Sequence, residues 1–548
     1  MASLVVGQVA IVLIVFLLHQ LFFRNKPKFP LPPGPKPLPI VGNIRDLPPP
    51  GTPDSDTGFH LKKNMALSAP LPCWAGHWSS SRTRRLPSNT WKRIQQRLLH
   101  AHSLSLPTCA DMARCWAFMD YTDLFRQHRK FLHHQFGTTA LVSRFNGVQE
   151  IESKRFLMRI FKDPENLFQH IKTEAAATIL KIVYGYNVEP FGADPLVRII
   201  NDVMENASRA MLPFKKPVEI FPALKRLPDW MPGAGFKRVA REWLALTDAS
   251  AYIPYNHVGK QMENGTYQPS YVSELIQTHS KGKNMEPEED TKEAIVRTAQ
   301  MLFTGGADTT VAAIMAFVLA MIHHPEVQEK AQEELDRVVG TDRLPTYEDR
   351  PNLPYISAFM KEMLRWFTVA PVNTAHKNDE EIIFRGYRIP KASYTVASNW
   401  WFLHDPKTYV NPMAFDPDRY LAPRNEPDPT GMFGYGRRIC PGRFFAQENL
   451  FITVSQTLAV FKITHVVDEN GKPVEAVLKH TPGLIDHPQE FPYSIVPRNE
   501  KCIELLKRLE VESPWEESNA EDLEWGSFTK YREEHRRSVA ERGRKVSN

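Results

Sequence analysis

Cysteine is scarce. The 548 residues hold five, Cys73, Cys109, Cys115, Cys440 and Cys502, an odd number with no Cys-x-x-Cys spacing. That argues against a disulfide framework and a paired-cysteine metal site, and fits reduced thiols facing a cytosolic compartment. Glycine is sparse too, at 27, and the 45 prolines follow no period, which excludes collagen-like and low-complexity chains. Excess charge is small: 68 Lys plus Arg against 62 Asp plus Glu leaves +6, too little to suggest a nucleic-acid partner. The shortage of acids is local. Residues 57–110 contain no Asp or Glu but eight bases, Lys62, Lys63, Arg82, Arg84, Arg85, Lys92, Arg93 and Arg97, so the rest of the chain is near neutral. With 42% hydrophobic and 24% charged residues, there is ample apolar material for a large core.

Charge is also missing from residues 3–23, SLVVGQVAIVLIVFLLHQLFF, of which fifteen are Leu, Ile, Val or Phe. As a helix this run spans about 31 Å, the thickness of a bilayer core. No basic stretch precedes it and no Ala-x-Ala-like site follows, so a membrane anchor is expected rather than a cleaved signal peptide. Arg24, Lys26 and Lys28 come next and leave the downstream chain on the cytosolic side. Prolines at 27, 30, 32, 33, 35, 37 and 39 then forbid helix and predict a stiff spacer rather than a ligand for a partner domain.

The densest pattern is GMFGYGRRICPGRFFAQENLFITVSQTLAVF, residues 431–461. Gly434, Gly436, Pro441 and Gly442 hold Cys440 in a tight loop, and from Phe444 the pattern reads as a helix. At such a helix start the dipole and nearby N–H groups favour a thiolate, as a nucleophile or metal ligand needs. A bare cysteine there would more simply be a buried apolar thiol, so its neighbours decide. Phe433, Gly436, Arg438, Cys440 and Gly442 fit Phe-x-x-Gly-x-Arg-x-Cys-x-Gly, and here the sequence resembles the cytochrome P450 family. The resemblance implies haem b as cofactor, Cys440 as its axial thiolate ligand, and Arg438 paired with a propionate. A thiolate pushes electron density onto iron and favours O–O cleavage.

Other segments follow the family in order. EAIVRTAQMLFTGGADTTVAAIMAFVLAMIHH, residues 293–324, is a long apolar helical run interrupted by Gly305 and Gly306, each costing about 1 kcal/mol relative to Ala. The glycines serve either close helix packing or a groove in the helix wall, and beside the Cys440 motif the groove is expected. Gly-Gly-x-Asp-Thr-Thr resembles the oxygen-activation pattern, which implies that Thr309 hydrogen-bonds dioxygen at the haem and Asp308 relays protons. Glu362 and Arg365 lie on one face of a helix, and with Arg419 of FDPDRY they resemble the family's buried charge network, a structural support for the cysteine loop. The segment between, residues 369–406, reads as short strands and turns. His376 falls at a propionate position. Arg129 stands at the family's Trp-x-x-x-Arg position with Phe125 in place of Trp, so it carries that propionate contact without an indole partner.

Residues 52–116 depart from the pattern. They should form the first small sheet, yet they lack apolar alternation and are rich in Ser, Arg and His, so a gene-model error, out of frame or unspliced, is expected rather than a basic binding segment. The end is also distinct, with acids through Thr529 and bases after it, and reads as a solvated appendage. The expected organisation is a transmembrane anchor at 1–23, a hinge at 24–43, a haem domain at 44–505 and a charged tail at 506–548. Its fold is mainly α with small β-sheets, the cytochrome P450 fold after one transmembrane helix. The implied activity is insertion of one oxygen atom of O2 into a small hydrophobic substrate, in an apolar pocket holding Val369, Ala370, Val372, Leu484 and Ile485. Electrons come from NADPH through a cytochrome P450 reductase at the endoplasmic reticulum membrane, catalytic domain to the cytosol. The wording resembles fungal secondary-metabolism members acting on polyketides or terpenoids, of the O-methylsterigmatocystin oxidoreductase kind. An O2-independent haem-thiolate isomerase or dehydratase, and a non-catalytic haem- or lipid-binding membrane protein, are the rivals.

Overall fold

The computed structural model describes residues 28–32, 100–101, 119–211, 218, 222–280, 286–374, 376–531, 533 and 536–537. The anchor at 3–23, most of the hinge and most of the stretch at 52–116 lie outside the described residues. Eleven helices of nine or more residues occur among the described residues: α1 (Asp123–Phe136), α2 (Asn146–Lys162), α3 (Leu167–Tyr184), α4 (Pro195–Met211), α5 (Gly235–Glu263), α6 (Tyr271–His279), α7 (Glu289–His323), α8 (Pro325–Val338), α9 (Pro354–Trp366), α10 (Arg443–Val460) and α11 (Glu500–Glu512).

Local chemistry sets their ends. Thr122 caps α1 by accepting from the Phe125 N–H, and Asp123 sits in the first turn, where the helix dipole favours an acid. Pro325 and Pro354 open α8 and α9 at positions that need no N–H. Gly185 ends α3 in the left-handed region at φ 67°. The central element is α7, apolar on nearly all sides and packed against α1, α3, α9 and α10. It is the one helix among the described residues long and apolar enough to cross a membrane, and 78% of its apolar window is buried inside the protein.

Three small antiparallel sheets occur among the described residues. β1 (His100–Ala101), β2 (His376–Lys377) and β5 (Tyr394–Thr395) form one sheet in the order β1-β2-β5, with Ala101 opposite His376. β3 (Ile382–Phe384) pairs with β4 (Tyr387–Ile389), and β6 (Phe461–Thr464) with β7 (Ser494–Pro497). The anomalous stretch thus contributes a strand of two residues to the first sheet.

The tail differs from the expected solvated appendage. α11 runs across residue 505, and Leu523, Trp525 and Tyr531 are at most 4% exposed. Asn519 and Asn187 exchange backbone and side-chain bonds, the Arg155 guanidinium donates to the Pro514 carbonyl at 3.0 Å, and the Tyr531 hydroxyl donates to Asp202 at 2.6 Å. Aromatic residues scattered through the acids supply the apolar area that pins it.

Candidate active site

The Cys440 loop turns on two glycines. Gly434 and Gly436 adopt φ 75° and 62°, where a Cβ would be strained. The Cys440 N–H then donates to the Phe433 carbonyl at 2.8 Å, and α10 starts directly after Gly442. Phe433, Gly436 and Gly442 therefore build the loop frame. Cys440 is half-buried. Burial pushes its thiol up, while the Gly442 N–H and the guanidinium groups of Arg129 and Arg443 act in the opposite sense. A stable thiolate here wants a cation at sulfur, as a metal ion provides.

Arginines brace the loop from the α1 side. Arg129 Nη1 donates to the Ile439 carbonyl at 2.7 Å, and Arg438 Nη2 donates to the Met119 carbonyl at 2.6 Å. Phe125 supplies the face on which Arg438 rests, 4.3 Å from guanidinium carbon to ring centre. The one signal of that role legible beforehand is an aromatic residue one turn before Arg129. Burial lowers Arg438 to about 10, with Asp120 acting against it. His376, on the central strand of the first sheet, is pushed down to about 4 by burial and then by the Arg438 charge. Positive potential thus collects at one edge of the loop, where the two carboxylates of a haem would be neutralised. A soft anionic donor beside a basic edge is a donor set that fits haem.

The two glycines of α7 differ: a Cβ on Gly305 would meet only Met301 Cε, at 3.4 Å. The helix is unbroken from Glu289 to His323, and a Cβ on Gly306 would lie 3.1 Å from Ile179 of α3, so this glycine serves close packing. The Thr309 hydroxyl donates to the Gly305 carbonyl at 2.7 Å, which leaves its oxygen lone pairs to accept. Next to it, Asp308 Oδ1 meets His487 Nε2 at 3.1 Å, and Asp308 Oδ2 is buried with no partner. His487 carries no sequence signature. The Asp486 N–H donates to the Val369 carbonyl at 2.9 Å, which joins the two apolar stretches expected to line the pocket.

Glu362, Arg365 and Arg419 come together with no exposure at all. Arg365 makes two bonds to Glu362, at 2.7 and 2.8 Å, and others to the carbonyls of Leu403, Pro412 and Ala414. Arg419 lies 3.0 Å from Glu362 and donates to Glu426 at 2.7 Å. Burial lowers the Arg419 guanidinium, but Glu362 and Glu426 more than offset that and hold it above its ordinary value. Glu426 had no recognisable spacing in the sequence. The network pins α9 to the segment at 403–426 that leads into the cysteine loop.

Comparison with known proteins agrees with this geometry. A family model for cytochrome P450 matches residues 102–486. The cytochrome P450 monooxygenase CLM2 of Gibberella zeae is 42% identical over 535 residues, covering 94% of this chain and 98% of that protein. The multifunctional cytochrome P450 monooxygenase af510 of Aspergillus fumigatus is 40% identical, with 94% and 97% covered, and the O-methylsterigmatocystin oxidoreductase of Aspergillus flavus is 33% identical, with 93% and 96% covered. A zebra fish cytochrome P450 structure with abiraterone superposes with a TM-score of 0.57 at 23% identity, over 75% of this chain and 91% of that one, a likeness of fold. The chain belongs to the cytochrome P450 family and is an enzyme of its monooxygenase class.

Proposed function

We propose that the protein inserts one oxygen atom into a small hydrophobic substrate in a fungal secondary-metabolite pathway, at a haem held by Cys440, Arg129, Arg438 and His376. When bound, the haem supplies activation of dioxygen, and the thiolate supplies the electron density that favours O–O cleavage. The other steps belong to this chain's residues. Arg129 and Arg438 would neutralise the propionates, and His376, an uncharged imidazole, would donate a hydrogen bond to one of them. Thr309, its own proton committed to Gly305, accepts a hydrogen bond from a water or a reacting group. Asp308, with one oxygen free, takes up and passes on protons. Val369, Ala370, Val372, Leu484 and Ile485 exclude water from an apolar pocket.

The reading is carried by the cysteine loop, a half-buried thiol framed by glycines and braced through Arg129 onto the adjacent Ile439 carbonyl. A role in secondary metabolism is supported by the relative named for O-methylsterigmatocystin. NADPH is the proposed electron source through a reductase docking on Arg126, Lys130 and Arg443, with residues 3–23 as the endoplasmic-reticulum anchor. Residues 52–116 are proposed to derive from a gene-model error, supported by the absence of Asp and Glu from 57–110 and by a family match that begins only at residue 102, inside the stretch. Sequencing the transcript tests that: an altered stretch between unchanged flanks is expected, and an identical one overturns it. The function itself is tested by reconstituting the chain with NADPH and reductase against a panel of apolar polyketides and terpenoids under labelled dioxygen. A product carrying one labelled oxygen is expected. Turnover without NADPH or dioxygen contradicts it.

A further inference from the structure

A hairpin of residues 479–489 meets α7 beside the distal acid, outside every motif of the haem site. Its base is closed by main-chain bonds from Gln489 to the Lys479 carbonyl at 2.8 Å and from Thr481 to the His487 carbonyl at 3.0 Å. The His487 N–H returns to the Thr481 hydroxyl at 2.9 Å. At the tip, Gly483 at φ 140° approaches Ser208 of α4 so closely that a Cβ would lie 3.3 Å from its side chain. The hairpin is thus clamped at both ends, and the His487 side chain has little freedom.

What that side chain touches is Asp308. Nε2 and Oδ1 are 3.1 Å apart, with the two side chains 21% and 17% exposed. The charged and titratable groups around the imidazole are Asp308 from α7 and Asp486 from the hairpin, with His480 behind Asp486 at 2.5 Å. Both immediate neighbours are carboxylates. Burial lowers the imidazole, but Asp308 and then Asp486 reverse this and hold it above its ordinary value of 6.5. His487 Nε2 therefore holds one oxygen of Asp308, while the other is buried without a partner. Glu362, by contrast, accepts through both oxygens.

We propose that His487 is a positioning residue for Asp308: its imidazolium holds Oδ1, leaves Oδ2 ready to handle protons, and sets the pH range of that readiness. The proposal rests on the oxygen-activation role given to Asp308 above. Its sign follows from the charge. Below the raised imidazole pKa the pair is intact; above it His487 loses its proton, the ion pair becomes at most a neutral hydrogen bond, and Asp308 is free to turn away.

Two measurements on the full chain test this. Titration of histidine imidazoles by 15N NMR should place His487 above the ordinary range in the native protein and shift it down in Asp308→Asn. With NADPH and reductase but no substrate, hydrogen peroxide released per NADPH should rise with pH as proton delivery fails. His487→Gln keeps a donor to Asp308 and cannot titrate, so it should abolish that pH dependence. His487→Phe should release peroxide at the high-pH level throughout. An unchanged His487 titration in Asp308→Asn, or a native pH profile in His487→Gln, overturns the proposal. The reduced, carbon-monoxide-bound spectrum separates the two levels: a thiolate-type band in every variant keeps the haem reading intact whatever happens to His487, and its absence from the native protein sinks that reading instead.

Discussion

Two charged clusters flank the same core, and they are built on opposite terms. Glu362, Arg365 and Arg419 have no exposure, and Glu362 is bonded through both oxygens while each arginine reaches further carbonyl or carboxylate oxygens. Asp308 and His487 keep partial exposure and a carboxylate oxygen with no partner. In the first cluster both Glu362 oxygens are taken, so that carboxylate holds chain segments together. The second keeps capacity in reserve beside Thr309, at the cost of a less stable site. Between these two carboxylates, the number of bonded oxygens, rather than charge or burial alone, marks the difference.

Breaking the saturated cluster should have the largest effect. Glu362→Ala strands two buried guanidinium groups and should cost about 3–5 kcal/mol of stability, with loss of haem retention. Denaturant unfolding measures it, and a cost of about 1 kcal/mol or less would erase the contrast. Acid should act next, through buried imidazoles. His404, beside Arg365, and His128 are pushed down to about 4 by burial and are 3% and 2% exposed. Unfolded imidazoles take up protons below 6.5 and the folded ones do not until about 4, so stability present above 6.5 is lost as pH falls through this window. Each contributes at most ~3 kcal/mol. A melting temperature constant from pH 6.5 to 4.5 would contradict this.

The unsaturated pair should behave differently. Asp308→Asn should change stability by about 1 kcal/mol or less, since the pair is partly exposed, yet raise peroxide release per NADPH. Thr309→Ala should do the same with smaller loss of stability, because only the bond to the Gly305 carbonyl disappears. Unchanged peroxide release in both variants would leave the distal residues without a proton-handling role. The smallest effect sharpens the first comparison. Arg424 bonds Asp416 and Glu426 at the rim of the saturated cluster but is 34% exposed, so Arg424→Ala should cost about 0.2–1 kcal/mol. A larger cost would mean that the rim carries as much as the buried centre.

Chemistry that lies close along the chain was legible. Cys440, its glycines and Arg438 fall within ten residues because a tight loop must be encoded locally. Glu362 and Arg365 were readable from helical spacing. Contacts that the fold makes across long separations left no such trace: His487 is 179 residues from Asp308, and Phe125 meets Arg438 from a different helix. At Gly306 the structure shows close packing instead of a groove, because sequence cannot tell a glycine that admits a ligand from one that admits Ile179. The tail was misread for a related reason. Its acids dominate the composition, while burial is decided by Leu523, Trp525 and Tyr531.

The central claim is that Cys440 is the axial thiolate of a haem. The reduced, carbon-monoxide-bound absorption spectrum of the purified full chain tests it most directly, read beside that of Cys440→Ala. A strongly red-shifted Soret band in the native protein, absent from the variant while its helical content is unchanged, is the predicted result. The same band surviving in Cys440→Ala, or missing from a native protein shown to contain haem, would contradict the assignment.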